Sequence, residues 1–347
     1  MIQKPRKDVF LISRTASRIP SLDGLRAVAI SLVLIGHAAS RTPEHSLFFP
    51  LWVYANFGVQ IFFVISGYLI TTLLLKEHYR SGSISLAGFY RRRAYRILPA
   101  AYAFIFAIFA WQWGTLTKWD VSSSLLYLLN YNSGRPWNLG HLWSLSVEEQ
   151  FYLLWPLTLV LFFRNRVEIL AAAFLATPFI NLALRYFHLQ KGLGLWFPST
   201  ADGLAIGCLL AIVEPRLTRM NWLRSRWMLL LILLLALYPL YAPTGNMEKI
   251  VNVVILTPLV RIATAIAIFH VTRCPYWILN CAPMMWLGAL SYSLYLWQQP
   301  MWEAPKLFPF AILAAIICHY AIERPLLSIR DRKKQFATSP ALSKPAS

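Results

Sequence analysis

Ten apolar stretches recur along the chain, near residues 22–39, 52–75, 97–114, 147–163, 167–187, 200–213, 227–241, 250–270, 283–301 and 308–323. Polar, proline or glycine breaks separate them. A helix needs about 20 apolar residues to cross a bilayer, and inside the hydrocarbon only helices and closed barrels satisfy their own backbone groups. Several runs need their flanking residues to reach that length. At roughly 20 residues per crossing, ten crossings leave no room in 347 residues for a separate soluble domain of ordinary size. Charged residues make up 14% of the chain, against about a quarter in soluble domains. The expected fold is therefore all-α, a polytopic membrane helix bundle of about ten transmembrane helices.

The 33 Lys and Arg outnumber the 14 Asp and Glu, giving a net charge of +19. In a soluble protein that excess points to nucleic acid, whereas in a polytopic one it follows the positive-inside rule. The distribution separates the two. With the N-terminus inside, 24 of the basic residues fall on inside segments and 7 on outside ones, while Arg26 and Arg261 lie within spans. Both termini are thus expected in the cytoplasm, and no nucleic-acid partner is implied.

Residues 1–18 form a basic cytoplasmic segment without the apolar run or small-residue cleavage site of a removed signal peptide. The first span is expected to serve as an uncleaved insertion signal. Residues 327–347 read as a disordered cytoplasmic tail, polar and proline-containing, so the membrane domain occupies 19–326. The four cysteines form no CxxC pair and suggest neither a disulfide framework nor a metal site. The segment 115–146 contains Trp119, Trp137 and Trp143, too aromatic for a linker, and is expected to cap the outer face.

Within the first span, SLDGLRAVAISLVLIGHAAS, Arg26 and His37 stand eleven residues apart. At 100° per residue they share one helix face about 16 Å apart. Ionisable groups at this depth face a protein interior or a wet cavity. For His37 taken alone, a structural histidine is the plainer alternative, and for Arg26 a snorkelling anchor. In the second span Gly58, Ser66 and Gly67 permit close approach of a helix or a thin ligand. Arg91, Arg92, Arg93 and Arg96 cluster before the third span, as suits polyphosphate recognition or simply an anionic lipid face. Farther on, WSLSVEEQFYLLWP places Glu148, Tyr152 and Trp155 on one helix face. Pro156 is expected to kink that helix. Glu149 reads as interfacial, and His141, on a loop, is open to either reading.

These motifs together resemble the integral-membrane acyltransferase family 3, the transmembrane O-acetyltransferases of O-antigen, exopolysaccharides, Nod factors and some macrolides. The matches are LDGLRA with the Arg26–His37 spacing, GVxxFFxxSG at Gly58 to Gly67, and RRxxRIxP at Arg92 to Pro99. They continue with WSLSVEEQFYLLWP at Trp143 to Pro156, SYSLYLW at Ser291 to Trp297, and Ile322-Glu323-Arg324-Pro325. They keep the family order and span residues 22–325. Two positions depart from the pattern: Gln60 stands where Asp is common, and Gln298 where His is usual. An acid and a histidine that a proton relay through those positions would need are thereby removed.

The resemblance implies a multi-pass protein of the bacterial inner membrane, using acyl-CoA, usually acetyl-CoA, as co-substrate and no bound cofactor. The acceptor implied is a hydroxyl of a carbohydrate or lipid-linked glycan, with membrane lipids around the bundle and no obligate protein partner. His37 takes the position of the family's essential histidine and Arg26 that of its partner, while Arg92, Arg93 and Arg96 would hold the CoA phosphates. Ser66, Gly67 and Tyr152 are further candidate substrate-binding residues, and Glu148 a second catalytic candidate.

The expected reaction is O-acyl transfer with His37 as general base. Arg26 would orient the donor or stabilise oxyanion charge, and Glu148 would pair with His37 or bind acceptor hydroxyls. A two-step route would pass the acyl group through His37 or Ser66. The rival class is a sugar or lipid transporter, which often shows inverted repeats; no duplication links the two halves of this chain. A structural membrane scaffold would leave Arg26, His37 and Glu148, all in or beside apolar spans, poorly explained.

Overall fold

The computed structural model describes residues 19–189, 194–240, 250–303, 306 and 308–328. The basic N-terminal segment and nearly all of the C-terminal tail lie outside these residues. Among the described residues the structure is entirely helical, without a β-strand.

Each apolar run folds as a helix. They are α1 (Pro20–Ala39), α2 (Val53–Ser81) and α3 (Leu86–Trp111), then, after two short helices α4 (Lys118–Leu125) and α5 (Trp137–Gly140), α6 (Leu142–Leu161) and α7 (Arg166–Tyr186). Next come α8 (Asp202–Leu217), α9 (Met228–Leu237), α10 (Thr257–Arg273), α11 (Ala282–Gln298) and α12 (Phe308–Ile317). Single π-helical turns adjoin two of them, Asn252–Leu256 before α10 and Cys318–Glu323 after α12. Six described helices are long and apolar enough to cross a membrane: α1, α2 with its preceding turn, α3, α7, α10 and α12, the last three with their flanking turns. Of the others, α6 is 20 residues long but carries Glu148 and Glu149, and α8, α9 and α11 have 16, 10 and 17 residues. Pro99, Pro156, Pro178 and Pro215 all lie inside helices that continue through them.

The bundle is built around α1 and α2. One side of α1 packs on α2 and another on α11, and α2 in turn packs on α8. Small residues set the spacing: a Cβ added at Gly67 would collide with the carbonyl oxygen of Leu204, and one at Gly207 with that of Val64. Backbones that close leave α2 and α8 no room for side chains at those points. The core that results is aliphatic and aromatic, with Phe63, Ile70, Leu74, Phe104, Leu159 and Leu204 fully buried.

Polar bonds then pin the helices at depth. Trp155 Nε1 donates to Thr71 Oγ1 at 2.8 Å, tying α6 to α2. Near the end of the bundle where α1 begins, Tyr68 donates to Glu214 Oε1 at 3.0 Å, and Arg273 pairs with the same carboxylate.

The segment between α3 and α6 is a folded cap. Thr117 and Asp120 form a capping box that starts α4, and Asn132 Nδ2 donates to Asp120 Oδ1 at 2.8 Å. Gln150 reaches out of α6 to Asn130 Oδ1, also at 2.8 Å. Trp137 of α5 fastens the cap to the end of α11: its Nε1 donates to the Gln299 carbonyl at 3.2 Å, and Gln299 Nε2 donates back to its carbonyl at 2.5 Å. Trp143, read from the sequence as part of this segment, belongs to α6.

Candidate active site

A single helix presents Arg26 and His37, as the eleven-residue spacing requires, because α1 runs unbroken from Pro20 to Ala39. The two side chains reach different neighbourhoods.

At the far end of α1, His37 Nδ1 lies 2.8 Å from Gln298 Oε1, the last residue of α11. Trp302 Nε1 approaches the same oxygen at 2.7 Å. An indole N–H can only donate, so the shared amide atom is the acceptor oxygen. It follows that His37 Nδ1 carries the proton of that bond, which leaves Nε2 with its lone pair free. Trp137 of the cap lies edge-on to the imidazole, ring centres 6.2 Å apart, and is itself covered by the Arg41 guanidinium at 4.4 Å.

A second imidazole, His141, is buried at the start of α6 against Phe104 and Tyr295, with ring centres 5.3 and 5.4 Å away. It lies within electrostatic reach of His37. Sequence left its role open; burial places it beside the candidate base.

Deeper in the bundle a charged layer surrounds Glu148. Ser66 Oγ donates to Glu148 Oε1 at 3.0 Å, and the Tyr152 hydroxyl lies 3.2 Å from both Glu148 Oε2 and Ser66 Oγ. Arg93 stacks its guanidinium 5.1 Å above the Tyr152 ring. Arg26 and Arg93 both act electrostatically on Glu148, and Arg96 on Arg26. Glu323, which binds Ser293 Oγ at 2.5 Å and His319 Nδ1 at 2.9 Å, faces Arg26 from the turn after α12. The helical spacing of Glu148 and Tyr152 and the arginine motif thus converge on one place. A cation layer opposite a carboxylate and two hydroxyls can hold an anionic ligand by charge-assisted hydrogen bonds.

Three sequence expectations change here. Glu148 does not pair with His37: its oxygens are held by Ser66 and Tyr152, while His37 is held by Gln298. The helix face shared by Glu148 and Tyr152 turns towards α2 and the arginines, and the α11 terminus fills the place beside His37. Gly67 faces α8 and sets the helix spacing, while only its neighbour Ser66 turns into the charged layer. Arg92 leaves the arginine group, its Nη2 bonded to Glu77 Oε2 at 2.8 Å on an exposed face. Spacing of one residue on a helix rotates the side chain by about 100°, enough to separate Arg92 from Arg93.

Gln298 and Trp302 escaped the sequence reading as contributors. The signal existed for Gln298, which occupies a motif position, but its partner lies 261 residues away.

A family model described as an acyltransferase domain matches residues 19–318. A putative peptidoglycan O-acetyltransferase, YrhL of Bacillus subtilis, is 31% identical over 324 residues, covering 82% of this chain and 48% of that protein. The O-acetyltransferase OatA of Staphylococcus aureus is 29% identical over 316 residues, covering 82% and 50%. The peptidoglycan O-acetyltransferase OatA of Listeria monocytogenes is 30% identical over 319 residues, covering 82% and 49%. The chain spans about half the length of these relatives. No solved structure matches it.

Proposed function

Since the chain belongs to the acyltransferase family 3, a family of transmembrane O-acetyltransferases, we propose that it moves an acyl group, acetyl in the first instance, from acyl-CoA to a hydroxyl of a glycan. The observation that carries this reading is the His37–Gln298–Trp302 arrangement, because it leaves a basic nitrogen free on the same helix that brings Arg26 to a cation layer.

In this mechanism Arg93, Arg96 and Arg26 hold the CoA end of the donor by its phosphates. Glu148, Ser66 and Tyr152 keep those cations in place. His37 Nε2 takes the proton of the acceptor hydroxyl as its oxygen attacks the thioester carbonyl. The carbon–sulfur bond then breaks, and the imidazolium returns the proton to the departing CoA thiolate. Atoms and charges balance without a metal or redox partner. Gln298 fixes the tautomer: the family histidine is replaced by a group that accepts from Nδ1 and does not itself titrate. The hydrogen bond from Ser66 to Glu148 supports a second reading, an acyl relay through the Ser66 oxygen with Glu148 as its base.

The charge distribution supports ten crossings, with both termini and the arginine layer at the cytoplasmic face of the bacterial inner membrane. His37 and the cap would then lie on the opposite side. The relatives' names add peptidoglycan to the glycan acceptors the family implies. The test is acyl transfer from acetyl-CoA in purified full-length protein. His37→Ala should remove transfer yet keep CoA-dependent thermal stabilisation; full transfer by His37→Ala would end the reading. A transporter would show no CoA stabilisation at all.

A further inference from the structure

A cavity of about 230 Å³ opens between α2, α6, α7, α8 and α10, at the same end of the bundle as His37 and apart from the charged layer. Its wall includes Gln60, Trp143, Asn181, Arg185, Asp202 and Arg261. Two of these side chains are incomplete. Gln60 is 5% exposed, and among the described residues its Oε1 accepts no hydrogen bond and the buried Nε–H of Arg185 has no acceptor. Burying a polar atom without a partner is costly, so an acceptor and a donor left open around one cavity mark a place for a polar ligand. By contrast, Asp202 is fully engaged, accepting from Arg261 Nε at 3.1 Å and from the Gly203 amide at 2.9 Å.

We propose that this cavity seats a sugar ring of the acceptor glycan; the assignment rests on the acyl-transfer reading above only in calling that sugar the acceptor. Each sugar hydroxyl both donates and accepts, so one ring can satisfy Gln60 Oε1 and Arg185 Nε together. The Trp143 indole offers an aromatic face of the kind that packs against the C–H face of a pyranose. The lining carries one formal positive charge in excess, two arginines against one aspartate, too little for a polyphosphate. An alkyl chain would leave both orphans unpaired. Gln60, where the family pattern often has an acid, contributes an uncharged hydrogen-bonding group to this wall.

The experiment measures binding of chitotetraose to the purified full-length protein in nanodiscs, with CoA-dependent thermal stabilisation read in parallel. Wild type should bind the sugar, and Gln60→Leu and Arg185→Met should each weaken that binding at least ten-fold while the CoA shift persists. Asn56→Leu, at the exposed rim of the cavity, repeats the test without disturbing the buried wall. Absence of sugar binding by wild type, or wild-type affinity in all three variants, overturns the assignment. Sugar binding that the variants lose, in a protein that shows no CoA shift, would leave the cavity assigned and remove the donor reading instead.

Discussion

At one end of α1, Arg26 joins a layer of charge in which Arg93, Arg96 and Glu323 gather around Glu148, Ser66 and Tyr152. At the other end, His37 is held by a neutral amide that an indole also grips, under the aromatic cover of Trp137. The first neighbourhood can bind a ligand by charge, and its carboxylate Glu148 is held by the hydroxyls of Ser66 and Tyr152. The second fixes an imidazole tautomer and offers almost no charge for binding. On the proposed mechanism, binding and proton transfer are separated along one helix, and each end should fail in its own way when altered.

The sharpest break of that contrast is His37→Ala, expected to lower acyl transfer about 10²–10⁴-fold, the range of a lost general base, with CoA stabilisation intact. Equal loss of CoA binding would show that the two ends do not divide the work. Arg93→Met should act oppositely. Losing a charge-assisted contact of about 1.5–3 kcal/mol weakens CoA about 10–100-fold, seen as a smaller thermal shift, while turnover at saturating donor changes little. Gln298→Leu frees the His37 tautomer and should cost about five-fold in kcat without moving the CoA affinity, since one hydrogen bond contributes about 1 kcal/mol. Gln298→His, which restores the family residue and can still accept from Nδ1, should keep more turnover than the leucine. Smallest is Arg92→Gln. Its exposed pair with Glu77 lies in the range of about 0–1 kcal/mol, so CoA binding should stay within about three-fold of wild type.

Much of this was legible in the chain itself. Apolar runs became helices, and eleven residues of spacing put Arg26 and His37 on one face. The aromatic segment 115–146 folded as a cap up to His141, with Trp137 edge-on to His37, and then entered α6. The four-residue step from Glu148 to Tyr152 also survived, since both residues touch Ser66 or each other. Of the two roles open to Glu148, pairing with His37 or binding acceptor hydroxyls, the fold removes the first. Helical phase says which residues of one helix share a face, but it does not say which neighbour that face meets. Glu148 turned to α2 and the arginines, and the place beside His37 went to the end of α11. The pairing of Asp202 with Arg261 had a usable signal: opposite charges stranded in two apolar runs must find each other. Asp202 lies in the run 200–213 and Arg261 in the run 250–270.

Sequence alone determined the helical character, the membrane class and the family, because hydrophobic length, charge placement and local spacing are properties of the chain in order. Tertiary structure alone decided which nitrogen of His37 is free, that Arg92 leaves the arginine layer while Arg93 joins it, and that Gln60 and Arg185 border a common cavity. These depend on contacts between residues tens to hundreds of positions apart, where a rotation of about 100° per residue changes the partner and no local rule fixes the outcome.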